Sequence, residues 1–149
     1  EDHMVGGGGD DTVEGHAGDD NLNGKSGNDL LRGGLGDDFL FGGLGNDTIV
    51  GGEGNDTVNG ELGADSFVFF GLVIGADKIT DFTTGTDVLR LDNALWAEMM
   101  MAPLSEAQVV SMFGDDSSGT LIFDFGSGNA ITLDGVLSAT GVASAIDIF

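Results

Sequence analysis

Apolar residues recur every nine positions through the first half of the chain: Val13, Leu22, Leu31, Leu40, Ile49, Val58 and Phe67. Polar residues and glycine fill most of the places between them. A period of nine matches neither the 3.6 of a helix nor the alternation of one long strand. It matches a short strand brought back to the same place by turns, with one inward side chain each time. The predicted unit is a strand over the last three residues of each repeat, centred on the apolar position. If two repeats complete one coil, odd and even repeats build two opposed parallel sheets, and stacked loops lie eighteen residues apart. The expected class is all-β: a right-handed parallel β-roll over residues 5–70, closed by a β-rich cap over residues 71–149 that contains one short helix.

The nine-residue pattern ends at Val68. Residues 67–70 keep strand character, and 77–82 and 88–92 alternate. Residues 104–113 predict a helix, with Ser105 as N-cap, Gln108 completing a capping box, and Leu104 and Val109 as a hydrophobic staple. Residues 120–125 and 130–133, joined by GSGN, predict a β-hairpin, and the segment from Ser138 predicts a second short helix ending at Asp147-Ile148-Phe149. Capping the open end of the array is the expected role of this half. Phe39 and Phe41 point outward from an even repeat, and Leu30 and Val50 from odd ones. Apolar side chains in such places predict a covered surface, with the C-terminal half folded over it. Trp96 is expected to pack in the cap. Residues 1–4, including His3, look like a cloning remnant and are set aside.

Around the apolar positions runs the frame G-x-x-G-x-D-x-apolar-x. Its aspartates are Asp11, Asp20, Asp29, Asp38, Asp47, Asp56 and Asp65. Its first glycines are Gly6, Gly15, Gly24, Gly33, Gly42, Gly51 and Gly60, and its fourth-position glycines are Gly9, Gly18, Gly27, Gly36, Gly45, Gly54 and Gly63. Glycine at positions one and four permits positive φ and close backbone approach, and leaves carbonyl oxygens unshielded. Aspartate adds a hard, charged oxygen, and a calcium-like cation takes six to eight oxygens. One turn does not supply that many; stacked turns do, by sharing each ion. This nonapeptide is the repeat of calcium-binding parallel β-helices. The loops of Asp11, Asp29, Asp47 and Asp65 line one edge and enclose three gaps; those of Asp20, Asp38 and Asp56 line the other and enclose two. About five shared ions follow. Asp77, Asp81 and Asp87 are candidates for further ligands where the roll ends.

Charge sharpens this reading. Twenty-six acids, twenty of them aspartate, stand against four basic residues, for a formal charge of −22. The sign excludes nucleic acid and anionic membrane as partners. Five divalent ions would bring −22 to −12, and without them so glycine-rich and acidic a chain is not expected to fold. With no cysteine, metal is the available staple. No stretch is long enough to span a membrane, and no signal peptide is visible.

Other motifs fail on inspection. Residues 19–24 open like an EF-hand loop, but Leu30 stands where the closing glutamate belongs. Residues 18–26 resemble a phosphate loop with one residue too many between its glycines and two aspartates that repel phosphate. His16 has no second histidine near it outside the N-terminal remnant. No nucleophile or metalloprotease motif occurs, so a noncatalytic module is expected.

With the seven repeats and the following DKITDFTTGTDVLRLD taken together, residues 6–92 resemble the RTX (repeats-in-toxin) family. The chain is similar to the C-terminal β-rolls of serralysin-type proteases and RTX lipases and to the R-modules of alginate epimerases. The resemblance implies calcium held by Asp11 through Asp65 with backbone carbonyls. It also implies secretion through type I (ABC-transporter) machinery to the extracellular space, and a catalytic or toxic domain N-terminal to this stretch. The end Asp147-Ile148-Phe149 looks like the termini of several members. His16, Lys25 and Glu61 stand where the family has a second glycine. The implied function is a module that calcium folds outside the cell; the alternative is a polysaccharide-binding accessory domain, as in the epimerase R-modules.

Overall fold

The computed structural model describes residues 1–71, 73–92, 120–126, 128–134, 136 and 145–149. Seven strands follow the repeats: β1 (His3–Gly8), β2 (Thr12–Ala17), β3 (Asn21–Ser26), β4 (Leu30–Leu35), β5 (Phe39–Leu44), β6 (Thr48–Glu53) and β7 (Thr57–Leu62). They continue as β8 (Ser66–Phe69), β9 (Ala76–Ile79), β10 (Val88–Leu91), β11 (Thr120–Gly126), β12 (Asn129–Asp134) and β13 (Ile146–Ile148). One sheet runs β1-β3-β5-β7-β9-β12-β11, the other β13-β10-β8-β6-β4-β2. Successive neighbours in the array pair in parallel with an eighteen-residue offset, as in Leu22↔Leu40 and Leu31↔Ile49. The chain is therefore a parallel β-roll with two repeats per coil.

The periodic apolar residues form the core. Leu22, Leu31 and Leu40 are wholly buried, and Val13, the least buried of the seven, is 6% exposed. The same cluster runs on through Ile79, Leu89, Ile131, Leu133 and Ile146, so the array and the closing strands share one interior.

Four expectations change against the structure. The strands of the array are six residues long, not three, because each continues through the first glycine into the next repeat. The pairing skips that glycine: Val5↔Asn23 is followed by Gly7↔Lys25. Positive φ falls on the second and fourth positions, not on the first and fourth: Gly7, Gly34, Gly43 and Gly52 at one, Gly9 through Gly54 at the other. The C-terminal end is strand, not helix, since Ile146–Ile148 pairs in parallel with β10. Finally, the described C-terminal strands extend the two sheets edge to edge and leave Phe39 50% exposed, although Val50 is buried. The β11–β12 hairpin forms as expected and is antiparallel. His3 and Met4, set aside as a remnant, lie in β1 opposite Asn21 and Leu22. The predicted helix at 104–113 and Trp96 lie outside the described residues.

Candidate metal centre

Each repeat aspartate begins the turn into a strand, and the coil stacks these turns in two columns. The main-chain N–H of each aspartate donates to Oδ1 of the aspartate one coil later. In the first column Asp11 donates to Asp29, Asp29 to Asp47 and Asp47 to Asp65, at 2.7, 2.7 and 2.9 Å. In the second, Asp20 donates to Asp38 and Asp38 to Asp56, at 2.7 and 2.9 Å. The carbonyl of each aspartate accepts an N–H from the same later coil, as in Leu30 to Asp11 and Phe39 to Asp20. One carboxylate oxygen of every column member after Asp11 is thus used in holding coil to coil, that of Asp20 by accepting the Asp2 N–H.

The other oxygen is the informative one. Oδ2 of Asp11, Asp20, Asp29, Asp38, Asp47 and Asp56 is buried and accepts no hydrogen bond. A buried, unpaired carboxylate oxygen costs several kcal/mol when charged, and native folds avoid it. Here it recurs in register along both columns, which points to a missing positive partner. Burial raises the pKa values of Asp38 and Asp47 and pushes those of Asp56 and Asp65 up to about 6, despite the N–H bonds that work the other way. Neighbouring carboxylates of the same column add to the rise. A divalent cation would reverse both effects.

The first glycines explain their own constancy. A Cβ on Gly15 would stand 2.7 Å from Oδ2 of Asp20 and 2.6 Å from the carbonyl oxygen of Gly33. Gly24, Gly33 and Gly42 stand in the same relation to the aspartate five residues on and, for the carbonyl, to the glycine one coil later. A charged oxygen and a carbonyl oxygen therefore converge beside the first glycines from Gly6 to Gly42, a donor set that suits a hard cation. The fourth-position glycines, Gly9 through Gly63, stack on one another: a Cβ on Gly27, Gly36, Gly45, Gly54 or Gly63 would strike the carbonyl oxygen of the glycine one coil earlier. These residues fit calcium.

One feature was missed in the sequence: a ladder at the fifth position, where Asp10, Asp19, Asn28, Asp37, Asn46 and Asn55 use Oδ1 to accept the N–H one coil later, at 2.7–3.0 Å. This ladder reaches forward while the aspartate columns reach back, so each loop is clamped from both sides. The run of Asp or Asn at this position, broken only at Ala64, was its signal.

Beyond the repeats, Asp77 joins the second column and Asp87 the first: Asp56 N–H donates to Asp77 at 2.9 Å and Asp65 N–H to Asp87 at 3.1 Å. Burial pushes Asp77 up to about 8 and also raises Asp87. Asp81 lies outside both columns; its two oxygens accept the N–H groups of Gly60 and Glu61 at 3.0 and 2.7 Å. His16, with Lys25 and Glu61, occupies a turn position at positive φ. Three of the four basic side chains are paired with acids: Arg32 with Glu14, Lys78 with Asp134 and Arg90 with Asp147.

Comparison with known proteins agrees with this geometry. Residues 1–31 and 32–67 each match the family described as the RTX calcium-binding nonapeptide repeat (4 copies). Among solved structures, the chain is similar to the AlgE6R3 subunit of the mannuronan C5-epimerase of Azotobacter vinelandii, with a TM-score of 0.50 and 22% identity, covering 92% of this chain and 78% of that one. Sequence comparison with curated proteins finds no match.

Proposed function

The array of residues 1–67 belongs to the RTX calcium-binding repeats, and from that premise we propose that calcium drives this module to fold and that it forms the C-terminal folding and secretion region of a larger secreted protein. The observation that carries the reading is the register of buried, unpartnered Oδ2 atoms along both columns. The ligands are Asp11, Asp29, Asp47 and Asp65 on one edge and Asp20, Asp38 and Asp56 on the other, with glycine carbonyls completing each site. Five ions occupy the five gaps between them.

The energetics suit a switch. At a site Kd of about 1 mM and calcium about tenfold higher, each site contributes roughly 1.4 kcal/mol, or about 7 kcal/mol for five. That is comparable with the whole stability of a small domain. Where calcium is scarce, the columns remain rows of like charges, and the chain is an extended polyanion able to thread a type I exporter. Outside the cell calcium folds it. Among the described residues no helix is long and apolar enough to cross a membrane.

A calcium titration followed by far-UV circular dichroism, with magnesium as control, tests this. A cooperative, calcium-selective gain of β-structure in the sub-millimolar to millimolar range is expected. A chain already folded in chelator would remove the basis of both the switch and the export argument. The fold it shares with an epimerase subunit leaves a polysaccharide-holding role as the second reading. The pairing of Arg32, Lys78 and Arg90 with acids disfavours it, since a uronate polymer would meet few available cations. Calcium-dependent retention on a uronate gel would restore it.

A further inference from the structure

The repeat pattern ends before residue 70, but its geometry does not. Gly75-Ala76-Asp77-Lys78-Ile79 reproduces the G-x-D-x-apolar half of the repeat after a shift from eighteen to twenty-one residues. Gly75 takes a positive φ of 81°, and a Cβ there would strike the carbonyl oxygen of Gly54, as at the fourth-position glycines before it. Ala76 N–H donates to Oδ1 of Asn55 at 3.0 Å, which continues the fifth-position ladder. Asp56 N–H donates to Oδ1 of Asp77 at 2.9 Å, and Lys78 N–H to the Asp56 carbonyl at 2.8 Å. The corresponding pair one coil earlier, Asp38 with Asp56 and Thr57, measures 2.9 and 2.8 Å. Asp77 is 1% exposed, and its Oδ2, like that of Asp56, is buried without a partner.

The other column ends differently. Gly85-Thr86-Asp87-Val88-Leu89 has the same form, and Asp65 N–H donates to Oδ1 of Asp87. There, however, Oδ2 of Asp87 accepts the Thr83 N–H at 2.7 Å. That oxygen has its partner, and the column closes on a hydrogen bond.

Resting on the reading that the columns hold calcium, we infer that the gap between Asp56 and Asp77 is a further calcium site, outside the nonapeptide array, which fastens the closing strands to the roll. Its place gives it that role. The strand carrying Asp77, β9, pairs with the array through only two positions, Thr57↔Lys78 and Val58↔Ile79. On its other side it pairs with β12 through four, Ala130 to Leu133. An ion held by Asp56 and Asp77 ties the short seam.

The test counts ions in the full chain by native mass spectrometry at saturating calcium, and reads amide hydrogen exchange in the same samples. Asp77→Asn is expected to bind one ion fewer than wild type and to lose protection in 73–79 and 129–134 while β3 and β5 keep theirs. Asp87→Asn is expected to keep the wild-type count. An unchanged count in Asp77→Asn, or an equal loss in both variants, overturns the inference. Anomalous scattering from calcium-grown wild-type crystals decides the case in which the variant does not fold. A peak between Asp56 and Asp77 supports the site, and its absence there, with a peak between Asp38 and Asp56, overturns it. Absence of ions from every gap would instead overturn the calcium reading of the columns.

Discussion

Glycine does three separate jobs in this repeat. The first glycine makes room for an aspartate oxygen and a carbonyl, the second bends the chain at positive φ, and the fourth lets neighbouring loops stack. The second is the one the chain relaxes: His16, Lys25 and Glu61 sit there at φ values of 73°, 79° and 66°. A residue with a Cβ pays roughly 1 kcal/mol for that conformation. Lys25→Gly or Glu61→Gly is therefore expected to stabilise the calcium-loaded form by about 1 kcal/mol at most per site, read as a higher thermal midpoint. Gly43→Ala at φ 116°, where the new Cβ would strike the Lys25 carbonyl, is expected to lower it. Equal midpoints for the two kinds of change would show that backbone strain does not govern this turn.

At the level of the element, the column of aspartates sets an unusual pH response. In the folded chain Asp56 and Asp65 are pushed up to about 6 and Asp77 to about 8 by burial, against an ordinary value near 3.8. Without metal the folded state therefore holds more protons than the unfolded one between those limits, and its stability falls as pH rises through them. In chelator, acidifying from pH 8 to pH 4 is expected to increase β-structure, the reverse of ordinary acid denaturation. With calcium the sign changes, because protons then compete with the ion for the same oxygens. Circular dichroism across this range in both media checks the pair of signs; a chelated chain that loses structure on acidification would contradict the unpaired-carboxylate picture.

The described residues of the array and of the closing strands share one core. The apolar row runs unbroken from Val13 through Phe67 and Leu89 to Ile131 and Ile146. Removing calcium from wild type is thus expected to unfold β3 and β12 in a single transition, read by hydrogen exchange at both places. Two well-separated transitions would mean that the closing strands stand alone. Deleting part of the row should act on the whole: Leu40→Ala, at a wholly buried position, is expected to cost about 2–5 kcal/mol and to raise the calcium concentration at which the roll forms.

The amino-acid sequence by itself determined the array. Seven copies of an inward apolar residue at a period of nine leave only one way to bury them together, so coil length, the two-sheet arrangement and the two aspartate columns could be read directly. It also marked the hairpin at 120–134 through alternation and a glycine-rich turn. Tertiary structure alone decided which glycine bends and which makes room, because both demands look the same as a missing side chain. It placed Asp77 and Asp87 in the columns and Asp81 outside them, since spacings of twenty-one and twenty-two break the period while the coil absorbs the extra residues in a loop. It turned Ile146–Ile148 into a strand, because the edge of β10 offers unpaired backbone groups that a short apolar segment satisfies whatever its local preference. Local pattern is enough where every repeat makes the same contact, and it fails where the partner lies more than fifty residues away, as Asp147 does from Arg90.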